Sequence, residues 1–228
     1  MAKKKKNGNY QTDSMAKKQQ ERELAKQKRK QARVLKKVGI AALCVTLAVG
    51  IFIGIGAIFG MFEYQPEPTG HATILVKNYG SIHVELYGND APETVAHFKK
   101  LAEEGYFNNL SLHTLLDGML YGGSTKSSQD KGVKGEFSAN GVDNRVKHKV
   151  GTISMARGEG YDSAYGQFFI TLDGADTKAL DGNYAAFAKI TEGMEYIEQI
   201  LEDYQPDENG NIVNAPQIMT ITFHENHD

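Results

Sequence analysis

The sequence predicts a β-rich domain of the α+β or barrel kind, with two helices, set behind a single membrane-spanning helix. Three observations predict this. Short strand-like segments separated by turn residues recur between residues 72 and 223, with only two helical patterns among them. The 25 residues from Val38 to Phe62 carry no charge. Charge is also sorted along the chain: residues 1–37 hold 14 Lys/Arg against three acids, a net +11, and the remainder holds 12 against 25, a net −13. A uniform globular domain does not sort its charge in this way, so the chain is modular.

Residues 1–37 form a basic tail. Within it, residues 15–37 are rich in Ala, Gln, Glu, Lys and Arg, which favour helix but supply no apolar face. No aromatic side chain is interleaved with these charges, so the tail reads as a topology signal and no nucleic-acid partner is expected. Residues 38–62 follow. A helix crosses the hydrocarbon core in about 20 apolar residues, whereas the apolar region of a signal peptide runs to only about 7–15. The reading is therefore an uncleaved transmembrane helix. Lys26, Lys28, Arg29, Lys30, Arg33, Lys36 and Lys37 precede it, and Glu63 and Glu67 follow it. The positive-inside rule then gives a single-pass protein of the cell membrane, with a cytoplasmic N-terminus and an extracytoplasmic C-terminal domain.

Residues 63–70 are a short polar linker that Pro66 and Pro68 keep from becoming helical. The domain then runs over residues 71–228. Residues 72–77 and 81–86 have strand character and flank Asn78-Tyr79-Gly80, a hairpin turn. A helix follows, with Asp90 placed to cap it, Pro92 suited to its first turn, Val95, Phe98 and Leu101 on one face, and Gly105 to stop it. Further strands are predicted at 151–155, 167–172, 185–190 and 218–223. A second helix is predicted over 194–201, where Met194, Ile197 and Leu201 form an apolar stripe. Residues 122–149 are polar and glycine-containing and read as loop.

Cys44, the only cysteine, lies in the apolar run, so no disulfide forms within one chain. The seven histidines are dispersed without metal-ligand spacing, and no metal or cofactor is expected.

Several segments stand together in an order that resembles the cyclophilins, especially the bacterial type. Gly80-Ser-Ile-His-Val-Glu-Leu86 is similar to the family's first hairpin and Ala91-Pro-Glu-Thr-Val-Ala-His-Phe98 to its first helix. Gly122-Gly123 and Gly135-Glu-Phe-Ser-Ala-Asn-Gly141 resemble the loops that follow. Gly151-Thr-Ile-Ser-Met-Ala-Arg157, Gln167-Phe-Phe-Ile170 and Leu180-Asp-Gly-Asn-Tyr-Ala-Ala-Phe187 resemble the later blocks. The resemblance covers residues 71–223. It implies an eight-stranded antiparallel barrel capped by two helices, with a groove on its outer face that binds proline-containing polypeptides and isomerises X–Pro bonds. The barrier to that reaction, about 18–20 kcal/mol, is amide resonance. A groove that seats the ring and donates a hydrogen bond to the prolyl nitrogen favours the twisted transition state, with no cofactor.

The resemblance places catalytic positions at His113, Thr114 and Gln167, and substrate-binding positions at Met155, Ala156, Arg157, Phe169, Leu180, Tyr184 and Phe187. As isolated residues, Met155, Phe169, Leu180 and Phe187 read as barrel core; within the Gln167-Phe-Phe and Leu180-Asp-Gly blocks the resemblance favours a proline seat, while Phe168 reads as core. The family's catalytic block, Phe-His-Arg-Val-Ile, is here Leu112-His-Thr-Leu-Leu116. Its arginine aligns with Thr114, the next stretch is one residue short, and Tyr121 replaces the groove glutamine. Threonine offers one neutral hydroxyl where arginine offers a charged fork. Two functions follow: an isomerase of reduced activity that assists folding of extracytoplasmic proteins, or a non-catalytic module that binds proline-containing peptides or a partner protein. Arg157 is the candidate substitute donor, provided that it does not point to solvent.

Overall fold

Strands β1 (Gly70–Val76) and β2 (Gly80–Leu86) alternate inward apolar residues with outward polar ones. Asn78, at φ 69°, turns the chain between them, as a short amide side chain permits. These residues belong to a computed structural model of the chain that describes residues 23–24, 26–31, 35–36, 64–124 and 132–224. The chain divides into two units, Met1–Glu63 and Tyr64–Asp228. In the first, the described residues are helical, and Lys26 Nζ lies 2.8 Å from Glu23 Oε1. Among the described residues no helix is long and apolar enough to cross a membrane. The span predicted at 38–62 lies outside them, as do residues 125–131 of the predicted loop.

The second unit is the predicted eight-stranded antiparallel sheet. After the first hairpin come helix α1 (Pro92–Glu103), strands β3 (Leu112–Leu116), β4 (Met119–Gly123), β5 (Thr152–Met155) and β6 (Gln167–Thr171), and the short helix α2 (Thr177–Leu180). Strand β7 (Ala186–Glu192), helix α3 (Met194–Asp203) and strand β8 (Ile218–His224) complete it. The strand order is β3-β4-β6-β5-β7-β2-β1-β8. The sheet curls until its two outer strands meet. The Leu112 N–H donates to the Pro216 carbonyl at 3.0 Å, the Ile218 N–H to Leu110 at 2.7 Å, and the Asn109 N–H to Ile218 at 2.8 Å. This seam satisfies backbone groups that an open edge would leave unpaired.

Inside, Phe98 of α1 packs its ring, tilted, 4.9 Å from both Phe107 and Phe187 and meets Phe168 edge-on at 5.8 Å. Aliphatic residues from all eight strands and from α1 and α3 complete the core. Each aromatic of this size buries enough surface to dominate the energetics of its layer.

Helix α1 corrects the expectation about its cap. Asp90 accepts from the Tyr64 hydroxyl at 2.8 Å and does not cap. The cap is Glu136, far along the chain. Its carboxylate accepts the Glu93 N–H at 3.0 Å, and the Thr94 N–H and hydroxyl at 2.7 Å each. A buried carboxylate at a helix N-terminus meets both the unpaired amides and the positive end of the dipole. It thereby ties the loop around residue 136 to the helix.

The β3–β4 hairpin is absent from the strands that the sequence predicts. Asp117 and Gly118 are its two-residue loop, at φ 51° and 73°, with Leu116 opposite Met119. Positive φ at both positions is what a tight hairpin requires. A Cβ on Gly118 would lie 2.4 Å from the Ala175 nitrogen, so the turn docks against residues 174–175.

Candidate active site

Register decides which side chains share the outer face. Thr114 stands opposite Tyr121, Tyr121 opposite Phe169, and Phe169 opposite Ser154, across β3, β4, β6 and β5. The pairing skips His113, where β3 bulges. Bulges re-aim side chains beside functional sites. Here the bulge lets His113 and Thr114 border one cleft. That cleft, of about 480 Å³, is lined by His113, Thr114, Leu116, Tyr121, Gly123, Ser124, Gln167 and Asn211.

Its donors and acceptors are neutral. His113 Nδ1 lies 2.7 Å from Thr114 Oγ1, and His113 Nε2 lies 3.4 Å from Gln167 Nε2. Burial pushes the imidazole of His113 below its ordinary value, which favours the uncharged ring. Among the described residues, no lysine or arginine lines the cleft. The structure thus brings His113, Thr114 and Gln167 together.

Beside the cleft, Ala156, Phe169 and Leu180 form an apolar cluster, with Met119, Tyr121, Ala175 and Tyr184 packed against it. Four of the predicted substrate-binding positions therefore adjoin one another: Ala156, Phe169, Leu180 and Tyr184. The Ala156 N–H is already committed to the Gln167 carbonyl at 2.9 Å. Arg157 sits at the far rim, its guanidinium 4.9 Å over the Tyr184 ring and 5.2 Å over both Phe137 and Tyr161. Its Nε donates to the Asn183 carbonyl at 3.1 Å and its Nη1 to Gly158 at 2.9 Å. Arg157 is engaged there and is not the substitute donor in the Thr114 cleft.

Met155 and Phe187 are corrections. Both belong to the barrel core, at 1% and 0% exposure. Strand alternation is the reason for Met155: Ser154 faces outward with Phe169, so Met155 faces inward opposite Phe168. At Phe187 the β5–β7 pairing shifts register, with Ser154 opposite Ala186 and Ile153 opposite Ala188. The extra residue turns its ring onto Phe98.

Behind Phe169 stands a buried hydrogen-bonded array that sequence reasoning missed. His148 Nε2 lies 2.8 Å from Ser154 Oγ, and its Nδ1 lies 3.0 Å from Asp181 Oδ1. The imidazole stacks on Phe169 at 6.1 Å and 14°. Burial pushes His148 below the ordinary imidazole value despite the opposing pull of Asp181. Asn211 was missed as well. It reaches the cleft because the turn at residues 207–211 bridges back to Thr114, a long-range pairing that no local pattern announces.

A closed antiparallel barrel with helical caps and a peptide-sized cleft on its outer face is a cyclophilin-type architecture. Residues 71–223 match the family model described as cyclophilin type peptidyl-prolyl cis-trans isomerase/CLD, and the chain belongs to that family. A peptidyl-prolyl cis-trans isomerase of Helicobacter pylori is 37% identical over 141 residues, covering 60% of this chain and 84% of that protein. A probable peptidyl-prolyl cis-trans isomerase of Brucella suis is 31% identical over 187 residues, covering 77% and 92%. Among solved structures, a cyclophilin type isomerase of Cryptosporidium parvum aligns with a TM-score of 0.58 at 25% identity, over 69% of this chain and 99% of that one. A cyclophilin of Hirschia baltica, at 18% identity and a TM-score of 0.54 over 70% and 75%, shares the fold.

Proposed function

We propose that this chain is a membrane-anchored isomerase of X–Pro bonds that assists folding of extracytoplasmic proteins, at a rate reduced by the loss of the arginine. The observation that carries this reading is the juxtaposition of the His113–Thr114–Gln167 cleft with the Phe169 cluster. A peptide lying across it sets its proline against the apolar cluster and its prolyl amide beside Gln167 and Thr114. No proton is transferred in the reaction, so His113 orients the Thr114 hydroxyl and is not a general base. The donors at hand are neutral. By comparison with the removal of an oxyanion donor, the missing charged one lowers the rate by about 10²–10³. The anchor is residues 38–62, and the charge flanks support an N-terminus in the cytoplasm.

A second reading, a non-catalytic module binding proline-containing segments, is favoured by one observation: the Thr114 hydroxyl is already partnered by His113 at 2.7 Å. Exchange NMR on a proline-containing peptide, with the full-length protein, separates the two. Exchange faster than in buffer is expected. Peptide binding with exchange no faster than buffer would leave the module reading alone. Protection of a C-terminal tag from protease in sealed, right-side-out cells would overturn the topology.

A further inference from the structure

Tyr121 covers Phe169. The two residues stand directly opposite each other on β4 and β6, with ring centroids 5.7 Å apart. Tyr184 meets Phe169 edge-on at 5.4 Å, and Phe169 is 0% exposed. The open cleft reaches Tyr121 but not Phe169. On the isomerase or peptide-binding reading above, on which this inference rests, a proline ring can lie against Phe169 only after one of the covering rings moves.

The two covers are held differently. Tyr184 lies beneath the Arg157 guanidinium, which is itself tied to the Asn183 and Gly158 carbonyls. Tyr121 donates its hydroxyl to the Met119 thioether at 3.5 Å, and a thioether is a weak acceptor. Burial, with Tyr184 and Asp117 nearby, pushes its phenol above the ordinary value, so it stays protonated. Tyr121 also borders about 480 Å³ of open cleft, which gives its ring somewhere to turn.

We propose that Tyr121 is the gatekeeping residue of the proline seat: it rests on Phe169 when the site is empty and turns off that ring to admit a prolyl ring. A seat that is open only part of the time binds with its intrinsic affinity scaled by the open fraction. The natural chain therefore binds proline peptides more weakly than the composition of its seat allows.

The experiment titrates an Ala-Pro peptide carrying a fluorinated proline into full-length protein and follows fluorine NMR. The proteins are the natural chain, Tyr121→Ala, Tyr121→Gln and Tyr121→Phe. Tyr121→Gln keeps a side chain of useful length should the alanine variant fail to fold. The Ala and Gln variants are expected to bind about tenfold more tightly, and Tyr121→Phe, which keeps the covering ring, to show no such gain. Unchanged or weaker binding by both open variants, beside measurable binding by the natural chain, overturns the gate and leaves the functional reading standing. No binding by any of the four overturns both.

Discussion

Thr114 and His113 form a bonded pair at the mouth of the cleft, and that pair sets what the cleft can donate. Supplying a charged fork tests the point. Thr114→Arg is expected to raise the rate of X–Pro exchange by at least about tenfold in full-length protein, since charged donors are worth roughly twice neutral ones. An unchanged rate in exchange NMR would mean that the cleft does not hold the prolyl amide. Behind the seat, Ser154→Ala removes the partner of the buried His148 Nε2. Leaving a buried ring nitrogen unpaired costs about 1–3 kcal/mol, to be read as a lower midpoint in urea. These residues differ in how legible they were. Gln167, Phe169 and Leu180 sit in short contiguous blocks whose order is visible in the sequence. The His148–Ser154–Asp181 array joins three separate segments, and only the folded register brings them together. Met155 and Phe187 were misplaced for a related reason: strand alternation and a register shift decide which way they face, and neither is visible without the pairing partner.

The elements around the site are tied by two long-range devices. One is Glu136, which caps α1 with three charge-assisted hydrogen bonds. Glu136→Ala is expected to cost about 1–3 kcal/mol, and Glu136→Gln, which keeps an acceptor, to cost less; equal losses in denaturant melts would show that the charge is irrelevant. The other is the Asp117-Gly118 turn. Gly118→Ala asks alanine to adopt φ 73° and places a methyl group 2.4 Å from the Ala175 nitrogen. A loss of about 1–3 kcal/mol is expected. Gly174→Ser is the control: a Cβ there would meet no atom within 4 Å, so only the strain of its own φ of 85° remains. An Asp-Gly pair between apolar runs is a strong hairpin signal, so β3–β4 was legible in principle. Its flanking runs, Leu115-Leu116 and Met119-Leu120, are too short to show strand alternation by themselves. Helix α1 was readable from Pro92 and its apolar face, but its cap was not, because a carboxylate arriving from residue 136 leaves no local trace.

At the scale of the whole molecule, two imidazoles, His113 and His148, are held below their ordinary value of 6.5, chiefly by burial. Neutral histidines buried in the fold must gain a proton in acid. The stability they allow is complete above the unfolded-state value and falls as the pH drops through the folded ones. Urea midpoints are expected to be level above about pH 7 and to decline toward pH 5; a flat profile would place both rings in solvent. A β-rich class, α+β or barrel, was legible because the strands are short and punctuated by turn residues; the closed eight-stranded barrel was implied by the resemblance alone, and the strand order by neither. That order has a consequence for how the protein is made. Strand β8 lies between β1 and the seam with β3, and the seam is sewn by bonds such as Gln217 to Asn109, 108 residues apart. A chain delivered N-terminus first therefore holds two raw sheet edges until its final strand arrives. Loss of that strand would leave a sheet whose bare edges pair with neighbouring chains.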